Sequence, residues 1–155
     1  MANYESITKE YFRSLNLFNE FENSPKDFGI DELLYPSEIH TVVLIVEKPN
    51  LNLTELSIEL GVSKSAVSKF VNKLIDKKLV VKEKSENNNK EVYFIATPKG
   101  IKAAKKHNEF EKELFGEIKG IIDSLSETHK EFLEEFLLKL NSKVLIALKK
   151  ANSDK

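Results

Sequence analysis

The sequence predicts a mainly helical fold carrying one small β-hairpin. Apolar residues recur at spacings of three and four over most of the chain, which marks helix faces. Only around residues 79–96 do runs of Val, Tyr, Phe and Ile replace that period, on either side of Asn87-Asn88-Asn89. The length, 155 residues, sets a scale of one domain or at most two.

Residues 4–22 form the first helix, with Ile7, Tyr11, Leu15, Phe18 and Phe21 at helical spacing. Ser24-Pro25 and Gly29 break it. Pro36, at a first helical position, opens a second helix over 36–47, which Lys48-Pro49 ends. A short helix over 53–60 takes Asn52 or Thr54 as its cap, and Ser63 caps the next one, over about 64–78. Strands follow at 79–84 and 91–96, and the asparagines between them tolerate the positive φ of a hairpin turn. Thr97-Pro98, a cap followed by proline, starts a long helix running to about residue 123. Ser126 caps a last helix over about 127–149, with Phe132, Phe136, Leu140, Val144 and Leu148 on one face.

With 41% apolar and 32% charged residues, disorder is excluded over most of the chain. The longest strongly apolar run, Val42–Val46, is far below the ~20 residues that cross a bilayer. Met1-Ala2-Asn3-Tyr4-Glu5 has no cationic segment leading into an apolar one. The expectation is a cytoplasmic protein with no membrane segment. The absence of cysteine removes disulfides, thiolate metal sites and cysteine nucleophiles. The net charge of -1 hides an uneven distribution. Residues 1–53 carry 4 basic and 9 acidic side chains, residues 54–106 carry 12 and 6, and residues 107–155 carry 8 and 10. A basic centre between acidic ends points to a polyanionic partner for the centre and another task for the ends.

Leu53–Leu74 meets the five demands of a helix-turn-helix. Leu56 and Leu60 give the first helix its inner face, and Ser57 is the small residue where the helices cross. Gly61 suits a turn with positive φ. Val62 is placed to plug the angle. Val67, Phe70, Val71 and Leu74 bury one face of the second helix. The opposite face then carries Lys64, Ser65, Ser68, Lys69, Asn72 and Lys73, without an acidic residue. Lysine donates to phosphates or guanine, asparagine pairs with adenine, and serine is tolerant. Ser63, as the cap, aims the first amides of this helix at a phosphate. Lys84 adds a phosphate-holding cation on the hairpin. The hairpin tip, with Asn88 and Lys90, suits a minor groove, where A·T tracts concentrate negative potential. Lysines on a solvated face usually bind nothing; the register of the whole motif carries the reading.

With these residues in place, the chain resembles the MarR family of winged-helix transcription regulators. The marks are Tyr35-Pro-Ser-Glu-Ile-His-Thr41, Leu53-Thr-Glu-Leu-Ser57, Gly61-Val-Ser-Lys-Ser-Ala-Val-Ser-Lys69, Leu74-Ile-Asp-Lys-Lys-Leu79 and Ala96-Thr-Pro-Lys-Gly100. The resemblance implies a homodimer. Residues 1–35 would form an N-terminal dimerisation helix and linker, 36–97 a winged helix-turn-helix lobe, and 98–155 the C-terminal dimerisation helices. It further implies double-stranded DNA as the partner. The site would be a pseudo-palindromic operator with half-sites about one helical turn apart, most simply repressed by blocking polymerase. At the wing the family often carries Asp-x-Arg, and here the matching positions are Asn88 and Lys90. The single arginine, Arg13, lies outside the lobe, so bidentate arginine-to-guanine readout is absent. The expectation is an A·T-leaning site and steep salt dependence, with a slope of about -0.9 per neutralised phosphate.

Family members commonly respond to a small molecule, an oxidant or a metal, and the lack of cysteine closes the thiol route. His107 and Glu111 are four residues apart on the long helix, a spacing that turns two ligands to one side. His107 also interrupts the otherwise apolar stripe Ala103, Phe110, Leu114 and Ile118. His40 and His107 are placed similarly to zinc-ligand histidines of the family's zinc sensors, with Glu111 where those sensors have histidine, so Zn is the candidate cofactor. Asp31, Glu32 or Glu38 would complete the donor set. The ordinary alternative is a pair of hydrogen-bonded histidines. For an organic effector, Tyr11, Phe12, Phe18, Tyr35 and Phe110 would line a cleft, although plain packing accounts for them better. His129 is only a first-turn residue of the last helix.

An enzyme is disfavoured. There is no Gly-rich phosphate loop, no His-Glu-x-x-His and no nucleophile elbow, and Glu134-Glu135 lies among lysines. A winged helix that binds protein instead of DNA would show apolar or acidic residues where Lys64, Lys69 and Lys73 stand.

Overall fold

The computed structural model describes residues 3–84 and 92–153. The order is α1 (Tyr4–Asn23), β1 (Lys26–Asp27), β2 (Leu33–Leu34), α2 (Pro36–Glu47), α3 (Leu53–Glu59), α4 (Lys64–Asp76), β3 (Val80–Lys84), β4 (Val92–Ala96), α5 (Pro98–Asp123) and α6 (Glu127–Ser153). The architecture is thus mainly helical with a wing. The expected hairpin tip, Asn87–Lys90, lies outside the described residues.

Local chemistry sets the element boundaries. Asn3 accepts a hydrogen bond from the Ser6 amide and opens α1. Asn52 takes the same role for α3, accepting from Thr54 and Glu55 while the Glu55 carboxylate accepts from the Asn52 amide. Lys78, at φ 59, reverses the chain after α4, and the Leu79 amide donates back to the Leu74 carbonyl. The helix therefore stops at Asp76, two residues before the expected end. At the other extreme α6 continues to Ser153, past its expected end near residue 149.

The small β1–β2 ladder, pairing Lys26 with Leu34 and Asp27 with Leu33, was not expected. Two-residue strands are too short to show alternation. The loop between them is held by Gly29 (φ 74), Asp31 (φ 58) and the Asp27 carboxylate, which accepts from the Ile30 amide at 2.9 Å. Its role is to bring Phe28, Ile30 and Leu34 into the core.

That core joins Ile39, Val42 and Ile45 of α2, Leu56 of α3, Val67, Val71 and Leu74 of α4, Leu79, Val80 and Phe94 of the wing, and Ala103 and Ala104 of α5. One charged residue is buried in it. Glu38, 1% exposed, meets the Lys77 ammonium at 2.9 Å and also accepts from the Tyr35 amide at 2.8 Å. The strands β3 and β4 pair antiparallel from Val80–Ala96 to Lys84–Val92. The wing base is fastened to α5: the Thr97 hydroxyl donates to the Lys78 carbonyl and accepts from the Gly100 amide. Gly100 is required there by space. A Cβ at that position would lie 2.2 Å from the Leu79 carbonyl oxygen.

The chain divides into two compact units, one through Phe110 and one from Glu111. In the first, α1 buries no residue. In the second, the end of α5 and all of α6 leave Phe115, Ile121, Phe132, Phe136, Val144 and Leu148 exposed. Among the described residues no helix is long and apolar enough to cross a membrane.

Candidate nucleic-acid interface and metal centre

The helix-turn-helix is built by residues that leave no choice about which face of α4 points out. Val67, Val71 and Leu74 are at most 1% exposed, and Leu56 of α3 is fully buried. Phe70 and Leu60, expected inside, are half-buried. Ser57 sits buried at the crossing and donates its hydroxyl to the Thr54 carbonyl at 2.7 Å. Gly61 has φ 65, as the turn demands. One expectation fails. Val62 does not plug the angle but stands 39% exposed. Its amide is tied to the Ser57 carbonyl at 3.1 Å directly after the left-handed glycine, which leaves the side chain outside.

The Ser63 hydroxyl caps α4 by accepting from the Ala66 amide at 3.2 Å. Lys64, Ser65, Lys69, Asn72 and Lys73 are exposed and Ser68 is half-exposed, so the six residues expected on the outer face share it. Lys73 also lies over the Tyr35 ring, 5.9 Å from its centroid. Lys84 is exposed on β3. Asn88 and Lys90 lie outside the described residues. Sequence reasoning missed Lys82, whose ammonium donates to the Asn72 side-chain carbonyl at 3.3 Å. The signal was available: residues two apart on a strand share a face, so Lys84 implied Lys82.

His40 of α2 and His107 of α5 bring their rings to 5.2 Å, and Phe28 stacks on His107 at 5.3 Å. His107 is 5% exposed while His40 is open to solvent. Glu111 follows one turn after His107 on the same helix. One donor atom from each of His40, His107 and Glu111 lies within 4.8 Å of the others. Two imidazoles and a carboxylate are a donor set that fits zinc, which accepts nitrogen and oxygen ligands. Glu32 and Glu38 do not extend this set. Glu32 is paired with Lys99 at 2.7 Å and Glu38 with Lys77, so both carboxylates already balance a half-buried lysine. Asp31 is spent on the positive-φ turn before β2 and is not in the donor group.

The five aromatic residues named for an organic ligand make separate ring contacts among the described residues. Tyr11 packs edge-on against Phe12, Phe18 and Phe110 each neighbour Phe21, and Tyr35 stands by Lys73. Phe110 borders a cavity of about 430 Å³ with Lys26, Phe28 and Lys106.

Comparison with known proteins places this geometry. Residues 34–92 match the MarR family. The HTH-type transcriptional regulator YvnA of Bacillus subtilis is 29% identical over 90 residues, 58% of this chain and 57% of that protein's length. YhjH of the same organism, also an HTH-type transcriptional regulator, is 24% identical over 127 residues, 82% of this chain and 73% of its own length. Among solved structures, Lactococcus lactis ZitR in complex with DNA aligns with a TM-score of 0.71 at 18% identity, covering 93% of this chain and 99% of that one. ZitR is a zinc-responsive MarR family member. At that identity the likeness is one of fold.

Proposed function

We propose that this chain, whose residues 34–92 match the MarR family, is a cytoplasmic, homodimeric transcription regulator that binds a pseudo-palindromic DNA operator and represses from it. It is a regulator, not an enzyme. The observation that carries this reading is the outward face of α4. From Lys64 to Lys73 it is polar and basic, with the exposed Asp76 of the last turn as its one acidic residue, while the inward face is sealed in the core. In this assignment Ser65, Ser68, Lys69 and Asn72 approach base edges. Lys64, Lys73, Lys84 and Lys90 hold phosphates, Ser63 aims the first amides of α4, and Asn88 reaches the minor groove with the wing tip. Residues 36–97 act as the DNA lobe. Residues 1–35 and 98–155 act as dimerisation segments, supported by the absence of buried side chains in α1 and by the exposed apolar residues of α6. The test is the pair Lys69→Ala and Asn72→Ala combined. It is expected to abolish the specific gel shift while leaving the dimer intact by size exclusion. An unchanged shift would mean that α4 presents another face to DNA.

A second reading is favoured by one observation: the convergence of His40, His107 and Glu111. In it zinc is the effector that changes operator affinity. Bound there, zinc would supply an electrostatic tie between imidazoles of α2 and α5. Isothermal titration with Zn²⁺ is expected to give a saturable signal for the wild type and none for His107→Ala. Identical flat traces would end the reading.

A further inference from the structure

Lys82 belongs to the wing, yet its ammonium is bonded to a side chain of the helix next to it. The Nζ donates to the Asn72 Oδ1 at 3.3 Å across the gap between β3 and α4. Both side chains are exposed, so the bond is not a by-product of burial. The two residues border a groove of about 470 Å³ that Ser68 also lines, with Val71, Val92 and Phe94 as apolar wall. Asn72 Nδ2 makes no hydrogen bond among the described residues, so one half of the amide is engaged and the other is available.

This arrangement has a chemical consequence. A side-chain amide can read adenine only if its carbonyl accepts from the base amine while its own amine donates to the ring nitrogen. A free asparagine turns its amide over readily, because carbonyl and amine are similar in shape and the last torsion is soft. A lysine cannot accept, so an ammonium beside the amide selects the orientation with the carbonyl toward it. The carbonyl keeps a second lone pair for a base. On the reading of α4 as the helix that enters DNA, we propose that Lys82 is a positioning residue for base readout. From the wing strand it fixes the amide of Asn72 and thereby sets a preference for adenine at one base pair of each half-site. The alternative is that Lys82 only meets a phosphate, as other lysines of this surface would.

The experiment is selection of bound sites from a duplex pool of randomised sequence. It uses the full-length wild type, Lys82→Met, Lys82→Arg, Asn72→Ala and the double variant Lys82→Met with Asn72→Ala. Asn72→Ala is expected to flatten the preference at one position, by roughly five- to a hundredfold, the range for one bidentate contact. Lys82→Met is expected to flatten that same position and leave the others unchanged, and the double variant to add nothing further. Lys82→Arg, which still donates to the carbonyl, is expected to retain the preference. Thermal unfolding of each variant checks that the fold is kept, and Lys82→Gln replaces any Lys82→Met protein that is not folded. A Lys82→Met protein that loses affinity equally for all sequences, with the salt slope reduced by about 0.9, would overturn the proposal and leave a phosphate contact. A wild type that binds DNA with no preference at any position would overturn the operator-binding reading itself, and the role of Lys82 with it. The wild-type arm distinguishes the two failures.

Discussion

Glu38 carries a charge where water cannot reach it, and the structure meets that cost with two partners. The Lys77 ammonium lies at 2.9 Å and the Tyr35 amide donates from 2.8 Å. The pair is asymmetric. Glu38 is enclosed, whereas the Lys77 side chain keeps about a fifth of its surface and also donates to the Leu33 carbonyl. Removing the lysine strands a buried carboxylate; neutralising the acid strands a cation that can turn to solvent. Lys77→Met is therefore expected to destabilise the fold by about 3 kcal/mol, the low end for breaking a buried pair, and Glu38→Gln by about 1 kcal/mol. Urea unfolding midpoints measure both, and equal losses would show the pair to be symmetric. None of this was legible in the sequence, where Glu38 is a candidate to complete the metal donor set. The metal set was legible in part. His40 and His107 could be matched by resemblance and His107 with Glu111 by spacing. That Glu32 and Glu38 are committed to lysines 67 and 39 residues away needed the fold.

At the scale of elements, period and punctuation carried most of the information. Every long helix and both wing strands stand within a few residues of where caps, prolines and apolar spacing put them. What periodicity misses is anything shorter than its own repeat, hence β1 and β2, and anything decided by contact, hence the outward Val62. Two glycines separate these kinds of constraint. Gly61 is fixed by its dihedral, with nothing within 4 Å of a built Cβ, and the motif alone predicted it. Gly100 has ordinary helical geometry and is fixed by the Leu79 carbonyl, which no local pattern reveals. Gly61→Ala is expected to cost about 1–2 kcal/mol, the strain of a left-handed residue. Gly100→Ala is expected to cost about 2–3 kcal/mol, because backbone must move to admit the methyl group. Thermal melts of the two variants compare them, and a Gly100→Ala protein as stable as the wild type would show that the wing base yields easily.

For the whole molecule, the distribution of burial matters more than its amount. Among the described residues no side chain beyond His107 is buried, and α1 buries none, although these segments carry many of the large apolar residues. Exposed apolar side chains in such number mark an interface. The acidic ends and basic centre read from the sequence agree with two such tasks on one chain. Phe136→Glu combined with Val144→Glu, on the expected apolar face of α6, should convert a dimer to a monomer by light scattering and abolish operator binding. A wild type that is monomeric at micromolar concentration would remove the basis for this. The contact at Gly100 reaches further than its own stability. The first turn of α5 sits against the carbonyl of Leu79 with no room for a side chain at the root of the wing. A tilt imposed on that turn is expected to displace the strand that bears Lys82, as a lever moves what is bolted to its short arm.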